Sequence, residues 1–186
     1  MGVVPRPSLI VLLVEDNRHE QVARRYLKAL KYGTHAMRFV TSPSGAGSAE
    51  QWVRAQFPVQ LKACRRRQAE TKLIVLIDAD TLTVQQRSAQ LDQTLREAGL
   101  PPIPNDSREI ARLVPRRNIE TWILCLNDVP AEETTDYKKT RDDWPDLIPT
   151  AATTLYAWTR ENAKVPTSCI DSLLIGIKEL QKIGLG

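Results

Sequence analysis

The sequence predicts an α/β fold, a three-layer sandwich built on a mostly parallel four-stranded sheet, with a helical C-terminal extension. Two continuous apolar runs, at residues 9–14 and, directly after Lys72, at 73–77, are typical of strands buried on both faces of a parallel sheet. Amphipathic helical segments alternate with the strands, as in repeated βαβ units. A length of 186 residues suits one domain with a substantial core rather than two large ones.

The first half of the chain yields two strands and two helices. Asn17 is predicted to cap the first helix, and Gly33 lies just beyond its end. A loop of small residues at 41–48 separates the second strand from the second helix, which Pro58 is expected to kink or split. The predicted elements are strand 9–14, helix 17–30, strand 36–40 and helix 48–69.

The second half begins with the second apolar strand, which ends in the acidic triplet at 78–80. Gly99 closes the helix that follows, and Asn118 is predicted to cap a helix that carries Trp122 on its apolar face. Residues 108–114 are interpreted as the fourth strand, although the pattern also fits a helical turn. The predicted elements are strand 72–77, helix 84–98, strand 108–114, a helix from 119, helix 149–162 and helix 168–183.

The strand-helix alternation gives way to a polar segment near residue 129, and this change sets the predicted domain boundary. Residues 1–128 form the α/β domain, and residues 129–186, which open with a polar segment, form a helical extension packed on it. No apolar run approaches the roughly 20 residues that a membrane helix needs, and the N-terminus lacks a secretory pattern, so we expect a cytoplasmic protein. Three widely spaced cysteines and two histidines argue against a structural zinc site.

Basic residues are distributed unevenly, although the net charge is only +4. Arg18 follows the first strand, and Arg116 and Arg117 follow a proline near the fourth. These three are the predicted nucleic-acid-binding residues, since clustered arginines suit a polyanion. Solvated helix faces explain each cluster equally well. Trp144, in a polar segment, is the candidate for an exposed aromatic that stacks on bases.

Acidic residues stand directly after two of the predicted strands. Glu15 follows the first strand, Asp78 follows the third, and Asp80 lies two positions further on. Ligands of parallel sheets collect outside the carboxyl ends of the strands, and residues i and i+2 of an extended chain share a face. We therefore expect these three carboxylates to form one pocket that holds Mg²⁺ or Mn²⁺, the cations that prefer oxygen ligands.

Four stretches carry a resemblance to a known family: VEDNRHEQVARRYL, SGAGSAEQWVR, LIVLIDAD and LVPRRNIETWIL. Together they resemble TOPRIM domains, and most closely the small stand-alone TOPRIM-like nucleases of bacterial anti-phage systems. The resemblance implies a Rossmann-like sheet and a metal-dependent nuclease of DNA or RNA, the effector of a defence or toxin system. It implies catalytic roles for Glu15, Asp78, Asp80 and Glu120, and adds Glu20 to the metal ligands Glu15, Asp78 and Asp80. Helix-dipole complementation is an equal explanation for Glu20 and remains an alternative for Glu120.

Asp16 stands where the TOPRIM pattern has a glycine, and its carboxylate could cap the first helix or join the metal ligands. Two other classes of function stay open. One is a non-catalytic subunit that a partner, such as an ATPase or a sensor protein, activates. The other is a phospho-receiver, which the stretch VLLVEDN resembles, although the lysine and proline that receivers need later in the chain are missing. Homo-oligomerisation is open as well.

Overall fold

The computed structural model describes residues 6–45 and 47–185 and has the predicted α/β fold. Its sheet contains four parallel strands in the order β2-β1-β3-β4. The strands within the described residues are β1 (Leu9–Val14), β2 (Met37–Thr41), β3 (Thr71–Leu76) and β4 (Ile110–Leu113). The α-helices within them are α1 (Asn17–Ala29), α2 (Ala49–Arg65), α3 (Val84–Glu97), α4 (Ile119–Leu126), α5 (Trp144–Thr159) and α6 (Asp171–Lys182). The predicted loop at 41–48 includes position 46, which lies outside the described residues, as does the segment 1–5.

The two faces of the sheet bury two separate apolar layers. In β1, Leu12 faces the layer that contains α1, α4, α5 and α6, whereas Leu13 faces the layer that contains α2 and α3. Strand residues alternate between faces, so a strand that is apolar at every position must be covered on both sides. The continuous apolar runs of β1 and β3 therefore reflect the two central places of a three-layer sandwich.

The order of the strands places a topological switch point between β1 and β3. The chain leaves β1 through α1 towards β2 on one side, and it leaves β3 through α3 towards β4 on the other. Helices α1 and α3 consequently lie on opposite faces of the sheet. The crevice that opens at the carboxyl ends of such strands is where ligands bind in open α/β sheets.

Two helices differ from their predicted form at prolines. Helix α2 is not split by Pro58, because Val53, Phe57 and Leu61 bury a continuous apolar stripe that outweighs the missing backbone hydrogen bond. Helix α5 begins at Trp144 rather than at residue 149. A proline in the first turn is well tolerated, and Pro145 holds that position here.

The helices after residue 129 pack against the α/β elements. Helix α5 lies on α1 and α4, and α6 lies along β4, where Glu179 Oε2 accepts a hydrogen bond of 2.9 Å from the Arg112 backbone N–H. This contact satisfies a donor on the outer edge of β4. Tyr26 in α1 donates a hydrogen bond of 2.8 Å to the Leu185 carbonyl, which ties down the C-terminal end. In the described part of the chain, no helix is long and apolar enough to span a bilayer.

We predict that Gly176→Ala destabilises the fold by about 1–3 kcal/mol, because the new methyl group overpacks the contact between α6 and α4. A Cβ at Gly176 would lie 2.3 Å from Trp122 Cη2, and the Trp122 indole is fixed by a 2.8 Å hydrogen bond to Ser172 Oγ. Urea denaturation measures the effect. Ile175→Ala, on the exposed face of the same helix, is the control and should change stability by only about 0.5 kcal/mol. Equal stability of Gly176→Ala and wild type would contradict the packing argument.

Candidate metal centre

Glu15 and Asp78 meet at the switch point of the sheet. Each follows the last residue of its strand by one or two positions, and both side chains are buried, Asp78 completely. The Asp78 backbone N–H donates a hydrogen bond of 2.6 Å to Glu15 Oε1. The expected convergence of these two acids is therefore present, and a backbone hydrogen bond fixes it directly.

His19, a residue without an assigned role in the sequence analysis, completes the cluster. Its ring is fully buried, with Nδ1 2.8 Å from Asp16 Oδ1 and Nε2 2.9 Å from Asp78 Oδ1. Carboxylate oxygens only accept hydrogen bonds, so both ring nitrogens donate and the imidazole is positively charged. Burial opposes this charge, but the negative charge of Asp78 and the hydrogen bonds to both carboxylates raise the pKa of His19 well above its ordinary value.

Asp16 is the cap of α1. Its Oδ1 accepts hydrogen bonds from the backbone N–H groups of Arg18 (2.8 Å) and His19 (3.0 Å), so Asp16, and not Asn17, is the N-cap residue. Partial burial opposes its charge, but the hydrogen bonds from His19 outweigh it and hold the Asp16 pKa below its ordinary value. Asp16 thus caps the helix and binds the histidine.

Glu120 lies beside the cluster on the first turn of α4. Its side chain is buried, and its Oε1 accepts a hydrogen bond from Arg18 of α1. Burial, together with the nearby charge of Asp78, raises the Glu120 pKa. Glu120 Oε2 is buried and has no hydrogen-bond partner within the described residues. Because Arg18 is paired with Glu120, its guanidinium group is only partly available for the predicted contact with nucleic acid.

Asp80 stands apart from the cluster because the backbone turns at this residue. The prediction that Asp78 and Asp80 share a face assumed an extended chain, but Asp80 has a φ of 53°, in the left-handed region. Its carboxylate points to Arg87 of α3, with Oδ2 3.2 Å from Nη2. Burial and the charge of Asp78 raise the Asp80 pKa, which places the residue near the site but outside its centre.

Arg87 is the residue that fixes this acidic turn. Its buried guanidinium group donates to the carbonyl oxygens of Asp78 (2.9 Å) and Ala79 (3.4 Å) as well as to Asp80. It also donates to Glu50 Oε2 at 2.6 Å and to Gln90 Oε1 at 2.7 Å. Strand β3 leaves the sheet here, so these carbonyl groups have lost their strand partners, and Arg87 replaces them.

Lys138 reaches the same acids from the polar segment between α4 and α5. Its Nζ lies 3.3 Å from Asp78 Oδ2, and 39% of its side chain remains exposed. Burial opposes its charge, but Asp78, Asp80, Glu15 and Glu120 together raise the Lys138 pKa. The contact is an ion pair without hydrogen-bond geometry, because Asp78 Oδ2 has no hydrogen-bond partner in the part of the chain that the structure describes.

The remaining predicted site residues lie around this centre. Glu20 Oε1 pairs with Arg24 at 2.6 Å, and its Oε2 accepts a hydrogen bond of 2.8 Å from Thr41. Both oxygens of Glu20 are thus engaged outside the cluster of Glu15, His19 and Asp78. Arg117 pairs with Asp136 at 3.2 Å, and Arg116 is partly exposed. Trp144 is buried beneath Arg18 and cannot stack on bases, contrary to the prediction, since only 1% of its surface is exposed.

The donor set of the cluster fits a divalent cation. Ligand atoms of Glu15, His19 and Asp78 lie within 4.8 Å of one another. His19 donates both of its ring hydrogens to carboxylates, so the metal donors of this arrangement are the oxygens of Glu15 and Asp78. Asp78 Oδ2 and Glu120 Oε2 are buried acceptors without hydrogen bonds among the described residues, and a cation would satisfy such atoms. Oxygen donors select Mg²⁺ or Mn²⁺ over softer metals.

No model of a known protein family, no curated protein and no solved structure matches this chain. The fold and the side-chain contacts therefore carry the functional argument.

Three residues of the site lacked a clear signal in the sequence. His19 could have been suspected, since it lies four positions after Glu15 on the first turn of the helix that leaves the central strand. Arg87 similarly lies on the first turn of the helix that follows Asp78. Lys138 had no such signal, because only the tertiary structure brings its segment over the sheet.

We predict that Glu15 makes the fold less stable as the pH rises. Burial, and then the charge of Asp78, raise the Glu15 pKa from 4.5 to about 7. A raised pKa contributes stability that is complete below pH 4.5 and is lost as the pH rises through 7. In metal-free buffer, wild type should lose about 1–3 kcal/mol more than Glu15→Gln between pH 4.5 and 8, measured by urea denaturation. Parallel pH profiles of the two proteins would refute the assignment.

Proposed function

We propose that this protein is a metal-dependent nuclease that hydrolyses phosphodiester bonds of DNA or RNA with Mg²⁺ or Mn²⁺. The observation that carries the proposal is the pair of buried carboxylates, Glu15 and Asp78, at the switch point of a parallel sheet. Burying two acids together is costly unless a cation joins them. In this structure, His19 and Lys138 supply that charge around Asp78, and the same geometry would accept a divalent cation.

Each residue of the site would have a different role in the reaction. Glu15 and Asp78 would hold the cation, which supplies an activated water and charge stabilisation at the phosphate. His19 binds Oδ1 of Asp78 and so turns Oδ2, which contacts Lys138, towards the position that the cation would take. Arg87 fixes the backbone of the acidic turn, and Asp80, with 41% of its side chain exposed, would bind water or a second cation.

Basic side chains near the site support a polyanionic substrate. Arg116 and Arg117 lie on the turn that begins α4, and Arg18 lies on the first turn of α1. Arg116 forms no ion pair within residues 6–45 and 47–185, so its charge is available for a phosphate group. Arg18 and Arg117 are each paired with an acid, which would have to share them with the substrate.

The TOPRIM resemblance supports the same function and extends it to a setting. The four-stranded parallel sheet is of the kind that the resemblance implies, and Glu15 and Asp78 meet at its carboxyl edge, with Glu120 within reach of the charge of Asp78. We therefore propose that the nuclease acts as an effector of anti-phage defence or of a toxin system. The proposal places it in the cytoplasm, where its nucleic-acid substrate is found.

We predict that purified protein cleaves plasmid DNA, single-stranded DNA or transfer RNA with Mg²⁺ or Mn²⁺, and that EDTA abolishes cleavage. Asp78→Asn keeps the shape of the side chain but removes the charge that holds the cation, so cleavage should fall at least about 100-fold. Asp106→Asn changes the same charge at an exposed position and is the matched control. Circular dichroism checks that both variants fold. Undiminished cleavage by Asp78→Asn would exclude this site as the source of the activity.

A second candidate function is a subunit that stays silent until a partner such as an ATPase or sensor protein binds. The observation that favours it is the complete burial of Asp78 and the near-complete burial of Glu120. Lys138 contacts Asp78 Oδ2, and under this hypothesis a substrate phosphate reaches these acids only after Lys138 has moved away. Under this hypothesis the isolated protein is inactive, and cleavage appears when the partner protein is added. Metal binding by the isolated chain does not distinguish the two functions, but cleavage does.

A further inference from the structure

Lys138 is held over the acidic cluster by a dedicated set of contacts. Asp136 Oδ1 accepts hydrogen bonds from the Asn118 side chain (2.9 Å) and from the Lys138 backbone N–H (3.0 Å). Asp136 Oδ2 pairs with Arg117 at 3.2 Å. Asn118 and Arg117 lie on the turn that leads from β4 to α4, beside the acidic turn after β3. Asp136 therefore fastens the Lys138 segment to the rigid edge of the sheet.

The backbone pairing beneath Lys138 fixes its distance from Asp78. The Ala79 N–H donates to the Pro115 carbonyl at 2.9 Å, and the Asp80 N–H donates to the Arg117 carbonyl at 3.0 Å. The acidic turn and the turn that holds Asp136 are thus parts of one hydrogen-bonded unit. A lysine attached to this unit can reach Asp78 without any long-range movement of the fold.

The Lys138 ammonium group lies among several acidic side chains. It faces the carboxylates of Asp78, Asp80, Glu15 and Glu120. Three of these acids also contact other cations: Asp78 contacts His19, Glu120 contacts Arg18, and Asp80 contacts Arg87. Asp78 Oδ2, the buried oxygen that lacks a hydrogen bond within the described chain, lies 3.3 Å from Nζ. An ammonium group on a flexible aliphatic stem, with 39% of its side chain exposed, can move from this position into solvent when another cation takes its place.

We propose that Lys138 is an exchangeable cation: it occupies Asp78 Oδ2 in the metal-free protein, yields that oxygen to the divalent metal, and then contacts the substrate phosphate. This inference rests on the proposed function and adds the resting state of the site and a phosphate-binding residue. The metal and the ammonium group compete for one oxygen, because two positive charges a few ångströms apart repel. Released from Asp78, the ammonium group stays tethered at the mouth of the site by Asp136.

Binding of Mn²⁺, followed by electron paramagnetic resonance, tests the competition independently of catalysis. Lys138→Met keeps the aliphatic length of the side chain and removes its charge, so it should bind Mn²⁺ about tenfold more tightly than wild type. Lys139→Met makes the same charge change one position along the same exposed segment and should bind Mn²⁺ as wild type does. Equal affinities for Lys138→Met and wild type, or equal gains for both variants, overturn the exchange.

The cleavage rate at saturating Mn²⁺ tests the phosphate contact. Lys138→Met should cleave at least about tenfold more slowly than wild type despite its tighter metal binding, and Lys138→Arg should recover part of the rate. An unchanged rate overturns the phosphate contact. Asp136→Asn, which keeps Lys138 but loosens its anchor, should also tighten Mn²⁺ binding, and no change in its affinity counts against the tether.

The outcomes separate this inference from the proposed function. If wild type binds Mn²⁺ and cleaves nucleic acid but Lys138→Met behaves identically, only the inference fails. If wild type binds no Mn²⁺ and Lys138→Met does, the exchange is supported, because removal of the ammonium group alone opens Asp78 Oδ2 to the metal. If neither protein binds Mn²⁺, the inference and the metal-dependent function fail together.

Discussion

A charged imidazole buried between two carboxylates is the interaction on which the rest of the site depends. His19 joins Asp16, the cap of α1, to Asp78, the residue that follows β3, and so locks the exit of one central strand to the helix that follows the other. Asp78 is completely buried, and its charge would be prohibitively costly without this partner. Once Asp78 is held, Glu15 is fixed through the Asp78 backbone N–H, and Lys138 has an anion to approach.

The parts of this arrangement that depend on local pattern could be predicted from the sequence. A strand that is apolar at every position must be central, and two central parallel strands must bring the residues after them to one edge. That reasoning was sufficient for the parallel sheet and for the proximity of Glu15 and Asp78. It needed only the strand direction and the position of each acid directly after its strand, both of which are local properties.

The predicted positions of two side chains, Asp80 and Trp144, differ from the structure because they depend on contacts with other elements. Asp80 was placed with Asp78 by a rule for extended chains, but Arg87, nine positions after Asp78, binds the carbonyl groups of the turn, in which Asp80 adopts a left-handed conformation. Trp144 stands in a polar stretch and was expected at the surface, yet α5 packs against α1 and α4 and buries it. Sequence periodicity describes the face of a helix, whereas burial also depends on which helix covers it.

The segment before α5 also adds a positive charge to the acidic cluster. An acidic crevice at a switch point would normally be open, but here the segment before α5 brings Lys138 over Asp78, and Trp144 supports Arg18 from beneath. The cost of burying Glu15, Asp78 and Glu120 is therefore reduced by cations from two elements: His19 and Arg18 on α1, and Lys138 on the segment before α5. Arg87 on α3 adds a fourth cation beside them, bound to the Asp78 backbone carbonyl. Among them, Lys138 alone is both anchored outside a helix and partly exposed at its charged end while it contacts Asp78. Because it can be withdrawn without disturbing a helix or a strand, the fold can stay intact while the charge at its centre changes.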